Sequence, residues 1–113
     1  MSIEPKVEEI RRQMVQIARD MLGGDVSFIE GARLISRLRW DAKLPEFDRD
    51  IDLFVGISSE TEALPVGEER RHWAPEALIR LQPEIEKAER WAQKIGRPAC
   101  KKVIDRFGPT PRQ

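Results

Sequence analysis

The residues able to do chemistry gather in the middle of the chain. Asp48, Asp50 and Asp52 alternate along Asp48-Arg49-Asp50-Ile51-Asp52, the spacing with which a calcium loop presents its first oxygen ligands. Such a loop also needs glycine at its sixth position, for a sharp turn, and a bidentate glutamate at its twelfth. This chain has Leu53 and Ser59 there, and Glu60 comes one place late. The three acids are therefore expected to open a helix, where negative charge complements the macrodipole. No metal or other cofactor is assigned. Glu60 and Glu62 are of the type that forms an acid/base couple. That chemistry requires a set gap and environments that push the two pKa values apart, and closeness in sequence supplies neither. His72 is the one histidine and could act as a general base. No nucleophile accompanies it, because Ser58-Ser59 lacks the G-x-S-x-G elbow. A surface or interhelical histidine is the simpler reading. Cys100 follows Ala99 on a helical pattern and reads as a buried, inert thiol. Gly56 and Gly67 stand too far apart to cradle a phosphate. No residue is assigned a catalytic role.

Charge is distributed unevenly around these groups. Residues 46–69 carry eight acids against the single base Arg49, a balance of −7. With 20 acids and 20 bases in the chain, the remainder carries +7. The bases cluster as Arg33, Arg37 and Arg39, as Arg70-Arg71, and as Arg97, Lys101, Lys102 and Arg106. They either answer the acidic middle inside the fold or form an anion- or partner-binding surface. Arg39 projects by helical angle between Phe28 and Ala32, on the apolar side. A buried guanidinium is costly without a partner. Arg39 is thus expected to pair with Asp48, Asp50, Asp52 or Glu60 and to tie the central segment to the second helix.

The elements that must position these groups are helical. Ile3, Val7, Ile10, Met14, Ile17 and Met21 recur every three or four residues, which predicts an amphipathic helix over 4–22. Pro5 suits its first turn and Gly23-Gly24 its end. Ser27 and Glu30 have capping-box spacing at the start of a second helix over 27–40. Leu44-Pro45 breaks the connection over 41–49. Residues 50–57 combine strand-favouring types with a helical context. A short helix over 49–61 is preferred, because a lone strand has no partner here. Leu64-Pro65-Val66-Gly67 is then a turn. From Pro75 the apolar residues Leu78, Leu81, Ile85, Ala88, Ala92, Ile95 and Ala99 keep one helical phase past Pro83 and Pro98. Two or three nearly collinear pieces, kinked or broken at those prolines, are expected.

These elements predict an all-α fold, a small antiparallel helical bundle with a central acidic loop or short helix. Its single domain spans 1–108, and 109–113 is a frayed C-terminal tail. The apolar stripes are read as core faces; the alternative is that one of them pairs two copies in a homodimer. One cysteine, and no apolar stretch of signal or membrane-span length, point to a cytoplasmic setting without a membrane partner. The even charge balance disfavours nucleic acid as a partner.

Four stretches carry a resemblance: RLISRLRWD at 33–41, FVGISSETEALPVGE at 54–68, WAPEAL at 73–78 and ACKKVIDRF at 99–107. From residue 26 onward the chain resembles a family of small bacterial proteins of unknown function. Their core reads F-V-G-I-x-S-E-T-x-x-L-P-x-G and is followed by W-x-P-E-A-L. The resemblance implies a single-domain bacterial protein and transfers no activity. It also implies a more continuous final helix than Pro83 and Pro98 suggest.

Binding rather than catalysis is the expected mode of action. The first reading is a small protein-interaction module, such as an immunity-type inhibitor that shields a basic partner with its acidic segment. The second is a small-ligand-binding protein or enzyme with its site between the central segment and the second helix. The third is a structural homodimer. The candidate binding residues are Ser59, Glu60, Glu62, Glu68, His72 and Arg39.

Overall fold

In the computed structural model, which describes residues 4–109, every regular element is a helix. Ile3 of the expected stripe and residues 110–113 of the expected tail lie outside the described residues. Helix α1 runs Pro5–Gly23. It ends at Gly24, whose φ of 86° lies in the left-handed region that glycine adopts without a Cβ penalty. Val7, Met14 and Met21 of its stripe are buried. Val15 and Ala18 are buried as well, so the face is wider than the stripe and meets two neighbours.

Helix α2 runs Phe28–Leu38, and the Ser27 hydroxyl accepts from the Glu30 amide at 3.0 Å. The return bond from the Ser27 amide to Glu30 is not made among the described residues, and the next two amides find another acceptor. Glu89, from the last helix, accepts from the amides of Phe28 at 2.8 Å and Ile29 at 3.2 Å. A carboxylate brought by tertiary packing thus satisfies two orphan donors and the helix dipole together.

Helix α3 runs Arg49–Glu60, as preferred over a strand. Asp48 caps it, accepting from the amides of Asp50 at 3.1 Å and Ile51 at 3.3 Å. The alternating aspartates therefore lie on a helical turn rather than in a calcium loop. Ile51, Phe54 and Ile57 are buried. A buried turn at Leu64-Pro65-Val66 leads into a 3-10 helix, Gly67–His72.

Helix α4 runs unbroken from Pro75 to Phe107, 33 residues. This corrects the expectation of separate pieces, and burial supplies the reason. Pro83 and Pro98 are both exposed, as are Ile79 and Lys94, whose carbonyls lose their usual amide partners. Water can satisfy those carbonyls on the solvent face, so the prolines weaken the helix without ending it.

Contacts between chain-distant residues set the directions. Arg11 of α1 lies over the Phe107 ring at 5.3 Å, while Met21 meets Cys100 at 3.7 Å. Helix α1 therefore runs antiparallel to α4. Asp48 meets Arg106 and Ile57 approaches Gly96, so α3 is also antiparallel to α4. Helix α2 packs between these pairs. Its close approach depends on small residues. A Cβ on Gly96 would fall 2.7 Å from the Phe28 ring, and one on Gly31 would collide with Met21.

Candidate functional site

Much of the acidic segment is neutralised inside the fold. Arg106 donates Nη1 to Asp48 Oδ1 at 2.8 Å, Nη2 to Asp48 Oδ2, and Nη1 to Asp50 Oδ2 at 3.0 Å. The Arg106 hydrogen bonds, aided by the Ile51 and Asp50 amides, hold the Asp48 carboxyl below its ordinary pKa despite its burial. Arg33 donates to Glu69 at 2.8 Å and also to the carbonyl oxygens of Thr61 and Leu64, the latter at 2.9 Å. Its hydrogen bond is the main reason that the Glu69 carboxyl is also held low. Glu68 pairs with Arg71 at 3.1 Å, with both side chains largely exposed.

Arg39 does not make the expected carboxylate pair. It ends α2, donates to the Ser36 carbonyl and stacks on Trp40, 4.4 Å from the ring centroid. The last turn of α2 places it at the surface edge of the apolar face, where the nearby Ser36 carbonyl and an aromatic ring hold it. The central segment is tied down by Arg33 and Arg106 instead.

The candidate binding residues are not brought to one place. Ser59 and Glu60 line a groove of about 220 Å³ between α3 and α4. Glu62 and Arg39 line a separate polar cleft of about 300 Å³ between α2 and the end of α3. Glu68 edges a third hollow beside the 3-10 helix. His72 is exposed at the end of that helix and joins none of these. A larger cleft, about 480 Å³, lies beside the start of α2 and is lined by both signs of charge, including Glu30, Arg70, Glu86 and Arg90. Its Glu89 is already engaged with the α2 amides. Cys100 is fully buried, and desolvation pushes its thiol up to about 12, so it is no nucleophile at neutral pH.

The α3–α4 groove is smaller than the cleft beside the start of α2, but its lining is the most apolar of these surfaces. Its floor is Leu53, Ile57, Trp91 and Ile95, with Asp52 and Glu60 on the α3 side. Leu53 is 40% exposed and Trp91 39%. Gly56 lies between them, and a Cβ there would meet nothing within 4 Å. Neither Asp52 nor Glu60 has an ion-pair partner among the described residues. Two sequence signals mark this groove. Trp91 sits beside Ala92 and so falls off the core stripe of α4. Gly56 occupies a helix interior, where glycine costs about 1 kcal/mol relative to alanine.

No protein family, no curated protein and no solved structure matches the chain. Among the described residues no helix is long and apolar enough to cross a membrane.

Proposed function

We propose that this chain is a small protein-interaction module that accepts a basic amphipathic helix of a partner in the groove between α3 and α4. The observation that carries the reading is the open notch at Gly56, flanked by exposed Leu53 and Trp91 and edged by the unpaired acids Asp52 and Glu60. A partner helix laid there would bury its apolar face on Trp91 and Leu53. Its lysines or arginines would face the α3 edge. Tryptophan is the residue type that most often anchors such an interface. An inhibitor that shields a basic toxic partner in a bacterial cytoplasm is the specific form this reading takes.

The test uses labelled synthetic amphipathic helices that share one apolar face and carry either lysine or glutamate on the polar face. Fluorescence anisotropy should show saturable binding of the lysine peptide, weakened by salt. Gly56→Leu should block it, and Trp91→Ala should cost about 2 kcal/mol or more of binding, roughly thirty-fold. Glu60→Lys should also weaken it without lowering the melting temperature. Equal binding of the glutamate peptide, or binding indifferent to Gly56→Leu, would refute the proposal.

A further inference from the structure

On the other flank of α3, the polar cleft between α2 and the end of α3 offers a second kind of chemistry. Arg33, Ser36, Arg37 and Arg39 line it from α2, and Ser58, Glu62 and Glu69 from the opposite side. Arg33 and Glu69 are committed to each other and to the backbone of residues 61–66. Arg37 and Arg39 have no carboxylate partner among the described residues. Arg39 is nevertheless held in place, by Trp40 beneath it and by its bond to the Ser36 carbonyl. That bond uses one of five guanidinium N–H groups and leaves the others available.

Ser36 supplies an independent sign of a ligand. It is only 6% exposed, and its hydroxyl meets no hydrogen-bond partner among the described residues. A buried hydroxyl left unpaired is costly, and native proteins rarely tolerate one without a reason. One arginine held in place, Arg39, a second exposed one, Arg37, and two serine hydroxyls, of Ser36 and Ser58, form a donor set that suits a tetrahedral oxyanion. Glu62 lines the same space without an ion-pair partner among the described residues. It would repel a second anionic group and accept from a hydroxyl or ammonium.

We infer that this cleft binds a small phosphate monoester, its phosphate held by Arg37, Arg39 and the serine hydroxyls and a hydroxyl or amine of its body donated to Glu62. The volume of about 300 Å³ is at the low end for ligand sites, with room for a phosphate on a short carbon body. The inference stands apart from the α3–α4 groove, and either can fail without the other.

The probes are inorganic phosphate, glycerol phosphate and phosphoethanolamine, titrated calorimetrically into the whole chain against sodium chloride of matched ionic strength. The monoesters should bind more tightly than inorganic phosphate and raise the melting temperature. Arg37→Gln, at an exposed position, should weaken them at least tenfold, and Arg39→Gln should do the same. Ser36→Ala should weaken them several-fold while the unliganded melting temperature holds or rises, since the hydroxyl has no partner to lose. Glu62→Gln should erase the preference for monoesters over inorganic phosphate. Heat signals no larger than those of sodium chloride, or affinities unchanged by Arg37→Gln, would overturn the assignment. Equal affinity for monoesters and inorganic phosphate would overturn its monoester part.

Discussion

Asp48 does two jobs, and two substitutions separate them. Its carboxylate caps α3 through the Asp50 and Ile51 amides, and it receives both guanidinium nitrogens of Arg106 across to α4. Its side chain is 5% exposed, whereas that of Arg106 is 37% exposed. Asp48→Ala removes both functions. The lost cap costs about 1 kcal/mol. The charge-assisted pair adds about 1–2 kcal/mol, less than a fully buried pair because Arg106 can return to water and keeps Asp50. The expected loss is about 2–3 kcal/mol, a urea midpoint lower by about 1–2 M. Asp48→Asn keeps a capping oxygen and should lose only the ionic part, about 1–2 kcal/mol.

The pH dependence has a definite sign. The folded-state pKa of Asp48 is depressed, chiefly by the Arg106 hydrogen bonds. The stabilisation is therefore complete above the unfolded value of about 3.9 and is lost as pH falls through the folded one. The gap between wild type and Asp48→Asn should stay constant from pH 7 to about 5 and shrink steadily toward pH 2. Urea titrations followed by helical circular dichroism at each pH measure it. A gap that stays unchanged down to pH 2.5 would refute the ionic role of Asp48, and equal losses for the asparagine and alanine variants would refute its role as a cap.

Other parts of the fold make equally direct predictions. Pro98→Ala should raise stability by about 1–3 kcal/mol, because the exposed proline removes an amide from an otherwise continuous helix; an unchanged urea midpoint would mean that α4 is already broken there. Gly96→Ala should destabilise by about 1–2 kcal/mol despite its better helix propensity, since the new methyl falls against Phe28. Gly56→Ala should do the opposite and stabilise by about 0.5–1 kcal/mol, as nothing opposes it in the groove. The Cys100 thiol, buried and shifted up to about 12, should react with a disulfide reagent only as fast as the chain opens; rapid labelling in native buffer would contradict its burial.

The helices were legible in the chain because their signals are local. The three-and-four spacing from Val7 to Met21, the glycine stop after it, Ser27 before α2 and the aspartates before α3 act within one or two turns. Their effect does not depend on what packs nearby. The all-α bundle followed from the same stripes, since faces of that kind must be buried against one another. The identity of long-range partners was not legible. Arg39 and Arg106 are both arginines near apolar residues in sequence. Only the antiparallel docking of α3 on α4 brings Arg106 to Asp48, and only the end of α2 carries Arg39 to Trp40 instead.

Glu89 likewise had no local mark as the cap of a helix sixty residues away. Whether the prolines break α4 was not legible for a related reason. Their cost depends on whether the freed carbonyls face water, which is a property of how α4 lies on its neighbours. Local periodicity thus determined the helices α1, α2 and α4 and their apolar faces, whereas α3 followed from its helical context and the 3-10 helix Gly67–His72 carried no such mark. Tertiary packing alone decided which charges are answered inside, and it left a notch at Gly56 on one flank of α3 and an unpaired hydroxyl at Ser36 on the other.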